Sequence, residues 1–220
     1  MKYVIIGGDA AGMSAAMQIV RHDEKAEVTT LEMGEVYSYA QCGLPYVVGG
    51  AIDSFDSLIA RSIETFRDKY GIDARVNHEV KAVDVDKKLV SGDGFELPYD
   101  KLLVATGASP IVPPWDGVDL KGIHTVKTIP DTKALIEDLK GASKIAVIGG
   151  GYIGLEMAEN FVEIGKEVTM IERNPRLAGI FDQEFSEKVG EEAVKHGIEL
   201  RFNESVEGFE GSQMDRLLMC

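Results

Sequence analysis

Lys144-Ile145-Ala146-Val147-Ile148-Gly149-Gly150-Gly151-Tyr152-Ile153-Gly154 is the stretch that decides the fold. Its first five residues form an apolar run without polar alternation, as a parallel strand covered on both faces requires. The next six fit GxGxxG, in which the first glycine makes a tight turn, the second admits a pyrophosphate to the backbone and the third lets helix pack on strand. Leu155-Glu156-Met157-Ala158-Glu159-Asn160-Phe161 continues as a helix. Glu167-Val168-Thr169-Met170-Ile171 reads as the following strand, and Glu172 closes it where a ribose-binding carboxylate belongs. A lone GxGxxG is a weak signal, but this one sits in its βαβ frame with its terminal acid.

The same order occurs at the N-terminus. Tyr3-Val4-Ile5-Ile6 predicts a buried parallel strand, Gly7-Gly8-Asp9-Ala10-Ala11-Gly12 a glycine turn, and Met13-Ser14-Ala15-Ala16-Met17-Gln18-Ile19-Val20-Arg21 a helix. Ala26-Glu27-Val28-Thr29-Thr30-Leu31 is a second strand, ending at Glu32, at the separation of about 20 residues that the pattern sets. Asp9 stands where the second glycine belongs, so its carboxylate has to point away from a bound pyrophosphate. Two such units predict an α/β protein of two Rossmann-like, three-layer domains, residues 1–112 and 113–220, with the boundary at the stiff Pro110, Pro113 and Pro114.

Between the two units, Ser62 is expected to cap a short helix that ends at Lys69-Tyr70-Gly71. Residues 72–80 and 82–86 alternate as half-buried antiparallel strands do, with a turn at Ser91-Gly92-Asp93-Gly94. His78 reads as a strand-edge residue, with no partner spacing for a metal site. Residues 100–106 read as a buried strand that breaks at Thr106-Gly107, where backbone amides can face a ligand.

Ser38-Tyr39-Ala40-Gln41-Cys42-Gly43-Leu44-Pro45-Tyr46 holds the interior cysteine of a chain with only two. Gly43 permits close approach of a flat ligand and Pro45 stiffens the segment. From these nine residues alone, Cys42 reads either as a positioned redox sulfur or as a buried structural thiol.

The 220 residues are ample for a packed core, and 45% apolar with 27% charged is ordinary for a globular protein. A net charge of −14 argues against binding nucleic acid through its backbone. No apolar run approaches the ~20 residues of a membrane span, no secretory signal follows Met1, and two cysteines make no disulfide scaffold, which together predict a cytoplasmic protein.

On these motifs the chain resembles the FAD-dependent pyridine nucleotide-disulfide oxidoreductases, in particular the single-cysteine branch of coenzyme A disulfide reductases and NADH oxidases or peroxidases. The most specific match is Cys42-Gly43-Leu44-Pro45-Tyr46. The resemblance implies an FAD site at Gly7, Gly12 and Glu32 with Thr106 and Gly107 near the flavin, and a nicotinamide cofactor at Gly149, Gly151, Gly154 and Glu172 with Tyr152 and Glu156 near its ring. It implies Cys42 as the catalytic thiol and Ser14, Gln18, Arg21, Ser38, Gln41 and Lys69 as coenzyme A contacts, with Gln41 standing where an asparagine is usual. Arg21 and Lys69 suit anionic phosphates, and by themselves also read as ordinary exposed charges. The expected electron path runs from NADH, favoured over NADPH by Glu172, through FAD to Cys42 and on to coenzyme A disulfide or a related persulfide. Peroxide or oxygen reduction through a Cys42 sulfenic acid, and a nucleotide-binding fragment without turnover, are the alternatives. Full-length members are homodimers about twice as long. Against them the chain reads as C-terminally truncated, with an incomplete FAD domain, an exposed sheet edge, and a tail, residues 213–220, unlike the strand expected there. Cys220 is expected to be an exposed thiol without a catalytic role.

Overall fold

The structure, a computed structural model, describes residues 1–210 and the backbone of the strand Leu217–Met219. The chain packs as two compact units. Met1–Ala40 and Asp56–Ala108 make the first, and Gln41–Phe55 and the residues from Ser109 onward make the second.

In the first unit β1 (Lys2–Ile6), β2 (Glu27–Leu31), β3 (Asp73–Arg75) and β7 (Lys101–Val104) form a parallel sheet in the order β3-β2-β1-β7. Side chains of β1 alternate between two cores. Ile5 packs with Met13, Ala16 and Met17 of helix α1 (Ala10–His22). Val4 and Ile6 pack with Val90 and Tyr99 on the side of an antiparallel sheet of β4 (Ala82–Asp84), β5 (Leu89–Gly92) and β6 (Phe95–Pro98). Burial on both faces is why the run carries no polar residue. Ile5 is 1% exposed, a burial worth about 1.5–3 kcal/mol.

Two expectations for this unit are corrected. Residues 73–75 belong to the parallel sheet, paired with β2, and the antiparallel meander begins only at Ala82. β7 is an edge strand rather than a buried one, because among the described residues β1 is its only neighbour, and Leu103 and Val104 are 38% and 60% exposed. The Ser62 cap is present, its hydroxyl accepting from the Thr65 N–H at 3.3 Å, ahead of a π-helical turn at Thr65–Lys69.

The second unit is a wholly parallel sheet in the order β11-β10-β9-β12-β8, made of β8 (Ile123–Thr125), β9 (Lys144–Ile148), β10 (Glu167–Glu172), β11 (Glu199–Phe202) and β12 (Leu217–Met219). The short helix α2 (Leu44–Val48) and helices α3 (Ile129–Leu139), α4 (Tyr152–Glu163) and α5 (Gln183–Lys195) complete it. α3 begins with a capping box in which Thr128 and Asp131 satisfy each other's backbone N–H groups. At its far end the Lys166 ammonium donates to the carbonyls of Leu139 and Ala142, as a cation at a helix C-terminus should.

The tail departs from expectation at β12, which pairs with β9 on one side and β8 on the other. Cys220 lies outside the described residues. The division between units also differs from 112–113. It falls after Ala108, and Gln41–Phe55 joins the second unit because α2 lies on α3 and α4. No helix among the described residues is long and apolar enough to cross a membrane.

Candidate functional site

Both glycine turns are built alike. Gly7 and Gly149 adopt φ of +117° and +106°, and each donates its N–H to the last residues of the neighbouring strand, Leu31 at 2.8 Å and Ile171 at 2.9 Å. A Cβ on Gly12 would overlap the Gly7 carbonyl, and one on Gly154 the Gly149 carbonyl, so the helix can meet the turn only as glycine. The two helices start without a side-chain cap, from Asp9 and Gly151, which leaves their first-turn N–H groups without that partner. A Cβ on Gly151 would meet nothing within 4 Å, so the start of the second helix is an open cradle of the kind that can admit an anion.

The carboxylates at the strand ends are locked to these turns. Glu32 accepts from the N–H of Gly8 on one oxygen and of Gly34 on the other, both at 2.8 Å. Glu172, 9% exposed, accepts from Gly150 N–H at 2.7 Å on one oxygen. Its other oxygen takes the Asn174 N–H at 2.8 Å and the Asn174 amide at 2.6 Å. Glu32 keeps an acceptor site on each oxygen, and Glu172 keeps one on the oxygen that Gly150 holds.

In the first unit a cavity of about 140 Å³ is lined by Gly7, Glu32, His78 and Thr106, among others. Ala105, Thr106 and Gly107, the last at φ +70°, follow β7, and the Ala105 carbonyl lies so close to Gly7 that a Cβ there would overlap it. His78 is not a strand-edge residue. It belongs to an irregular segment, donates its backbone N–H to the Glu32 carbonyl at 2.8 Å and meets the Phe95 ring at a tilt, 5.2 Å between centroids. Sequence reasoning missed it because its neighbours alternate like a strand. Tyr37, beneath the turn, bonds Thr30, and burial, then the Glu32 carboxylate, pushes its phenol well above the usual range.

In the second unit a cavity of about 580 Å³ is lined by Gly149, Glu172, Arg173, Asn174 and Trp115, among others. Arg173 faces this space. Arg176 lines a different cavity, against α5 and β11, and its buried Nε has no hydrogen-bond partner among the described residues. Tyr152 and Glu156 are one turn apart on α4, and Tyr152 meets Phe181 edge to face at 5.6 Å.

Cys42 is exposed, on a 3₁₀ turn (Gln41–Gly43) that leads into α2, so the buried structural reading does not hold. Beside it the Gln41 amide oxygen accepts from the Lys127 ammonium at 3.0 Å. No signal in the sequence pairs these two, which are 86 positions apart.

Of the remaining residues, Ser14, Gln18 and Arg21 are exposed on α1 at spacings that share one face. Ser38 is buried at φ +48° and donates its N–H to the Gly8 carbonyl at 2.9 Å, placing it against the first turn. Lys69 is exposed, with its ammonium 5.4 Å from the Tyr70 ring. These five belong to the first unit, whereas Gln41 and Cys42 belong to the second. Among the described residues no cluster of His, Cys, Asp and Glu is arranged to hold a metal ion.

The sequence model of the family described as "Pyridine nucleotide-disulphide oxidoreductase" matches residues 1–218. A curated NAD(P)H coenzyme A polysulfide/persulfide reductase of Pyrococcus horikoshii is 43% identical over 96% of this chain and 48% of its own length. An NADH oxidase of Enterococcus faecalis is 33% identical over 99% of this chain and 50% of its own. The solved structure of a NAD-dependent persulfide reductase from A. fulgidus superposes with a TM-score of 0.95 at 33% identity, over all of this chain and 45% of that one. The chain thus spans about half the length of the curated relatives it matches.

Proposed function

The chain belongs to the pyridine nucleotide-disulphide oxidoreductase family, and from that premise we propose that it serves NAD(P)H-dependent, flavin-linked reduction of a small-molecule disulfide, with Cys42 as the group that meets substrate. The observation that carries this reading is the exposed Cys42 on a turn whose helix, α2, lies on α4, the helix that begins at the open Gly151 cradle.

On this reading residues 1–112, without the Cys42 segment, hold FAD through Gly7, Gly12, Glu32, Thr106 and Gly107. Residues from 113 onward hold NADH through Gly149, Gly151, Gly154 and Glu172, with Tyr152 and Glu156 beside the nicotinamide. The residues present fit both groups: two glycine turns, the second with open space at Gly151, two helix starts without a side-chain cap and two fixed carboxylates. Bound there, the two dinucleotides supply the electron pair that returns an oxidised Cys42 to thiolate.

The chain's own part is thiol exchange. The Cys42 thiolate attacks one sulfur of a coenzyme A disulfide, a new S–S bond forms to Cys42, the old one breaks, and coenzyme A leaves as a thiolate that takes a proton from water. Arg21 and Lys69 are cations suited to the substrate phosphates, with Ser14, Gln18, Ser38 and Gln41 as further polar contacts. The P. horikoshii relative supports coenzyme A polysulfide or persulfide as the substrate class. We place this activity in the cytoplasm, with no nucleic-acid or membrane partner.

A second reading, oxidase or peroxidase chemistry through a Cys42 sulfenic acid, is favoured by the E. faecalis relative. Spectra of the purified chain reconstituted with FAD, before and after anaerobic NADH, test the proposal. Flavin absorbance that bleaches with NADH and returns on adding coenzyme A disulfide supports it. Return with peroxide or oxygen only favours the second reading, and a chain that takes up no flavin overturns both.

A further inference from the structure

Lys127 lies outside every assignment made above, yet it hydrogen-bonds the side chain of Gln41, the residue that precedes Cys42. Its ammonium donates to Oε1 of Gln41 at 3.0 Å, in a half-buried setting. Both ends of this contact are held. Lys127 directly precedes Thr128, whose reciprocal bonds with Asp131 fix the start of α3. Gln41 opens the 3₁₀ turn that runs into α2, and α2 lies on α3 itself.

An ammonium can only donate, so it decides which way the carboxamide faces. With Oε1 taken by Lys127, the two N–H groups on Nε2 face away from that ammonium, and no hydrogen bond from them is made to the described residues. A donor pair in a fixed direction beside an exposed thiol selects a ligand that offers acceptors there.

We propose that Lys127 is a positioning residue: by pinning the Gln41 oxygen it presents the amide as a donor next to Cys42, and so selects disulfides whose arms carry carbonyl oxygens near the sulfur. The amide-bearing pantetheine arm is such a group, and a bare alkyl disulfide is not. The inference rests on Cys42 being the thiol that meets substrate, as proposed above.

The experiment uses the 220-residue chain with Cys220→Ser, which leaves one thiol, and no flavin or nicotinamide. Mixed-disulfide formation at Cys42 is followed by mass with two uncharged probes, pantethine and dimethyl disulfide. In each, the Cys42 thiolate displaces half of the probe as a thiolate, which takes a proton from water. The ratio of the two rates cancels any change in the thiol itself. Lys127→Met and Gln41→Leu are each expected to lower the pantethine-to-dimethyl-disulfide ratio about fivefold, the worth of roughly one hydrogen bond. The double variant should be no lower than Gln41→Leu alone, because one acts through the other. Lys127→Arg, which can still donate, should restore the ratio. Equal slowing of both probes in Lys127→Met, an unchanged ratio, or additive effects in the double variant overturn the proposal. Because no redox cofactor enters, absence of NADH-driven turnover would defeat the enzymatic reading while leaving this ratio intact, and the converse holds.

Discussion

Gly49 lies directly against Asn160, so close that a Cβ on the glycine would overlap the side-chain oxygen of the asparagine. The contact joins the end of α2 to the middle of α4, and Asn160 is held there by its amide donating to the Glu156 carbonyl at 2.8 Å.

Gly49 has φ −75°, a conformation open to any residue, so the contact alone forbids a side chain. Gly49→Ala is expected to cost about 1–3 kcal/mol of stability through overpacking. Adding Asn160→Ala should recover part of it, since the obstructing oxygen is removed. Urea unfolding of the two variants checks this, and a double variant less stable than Gly49→Ala would contradict it.

Glu172 takes three donors, the Gly150 N–H of the glycine turn and the N–H and side-chain amide of Asn174. Glu172→Ala should therefore lower stability by about 2–4 kcal/mol, as unpaired buried amides are left behind. It should also shift the NADH-to-NADPH affinity ratio toward NADPH by roughly tenfold, because a charge facing the extra phosphate is worth about 1 kcal/mol or more. Titration calorimetry with both nucleotides reads the shift, and equal affinities in the parent chain would remove Glu172 as the discriminating group.

Tyr37 governs the alkaline side. Its phenol is raised in the folded chain, by burial first and by Glu32 second. The stability it contributes is present below the ordinary phenol pKa near 10 and falls as pH climbs above it, because only the unfolded chain releases the proton. Tyr37→Phe should flatten that decline. At neutral pH it should cost about 1–2 kcal/mol, as the hydroxyl of fully buried Thr30 loses Tyr37. Melting temperature against pH for both proteins gives the comparison, and parallel curves would refute the assignment.

β7 offers an open edge with Leu103 and Val104 exposed. Such an edge recruits other strands, and a charge on it discourages pairing. Val104→Lys is expected to reduce concentration-dependent association in light scattering without lowering the melting temperature by more than a few degrees. Unchanged association would place the sticky surface elsewhere.

The glycine turns and their carboxylates were legible because their chemistry is local: a turn, a helix start and an acid at fixed spacing leave little choice. Burial of β7 was not, since an apolar run cannot reveal whether a second neighbour exists. Residues 217–219, without a β-branched residue, gave no strand signal, and their place comes from the slot between β9 and β8. Lys127 escaped notice for a similar reason: its partner is brought to it only by the packing of α2 on α3.

The path of the chain through Gln41–Phe55 bears on how such proteins can be recombined. The backbone leaves the first unit after Ala40, returns at Asp56 and leaves again after Ala108. A gene cut at the proline-rich boundary would therefore strand the thiol segment with the half that does not support it. Exchanging C-terminal halves between relatives would exchange the bed under Cys42 along with the Gly149–Gly154 turn, so the two should be inherited as one module, and chimaeras that respect both crossings should be the ones that keep a well-placed thiol.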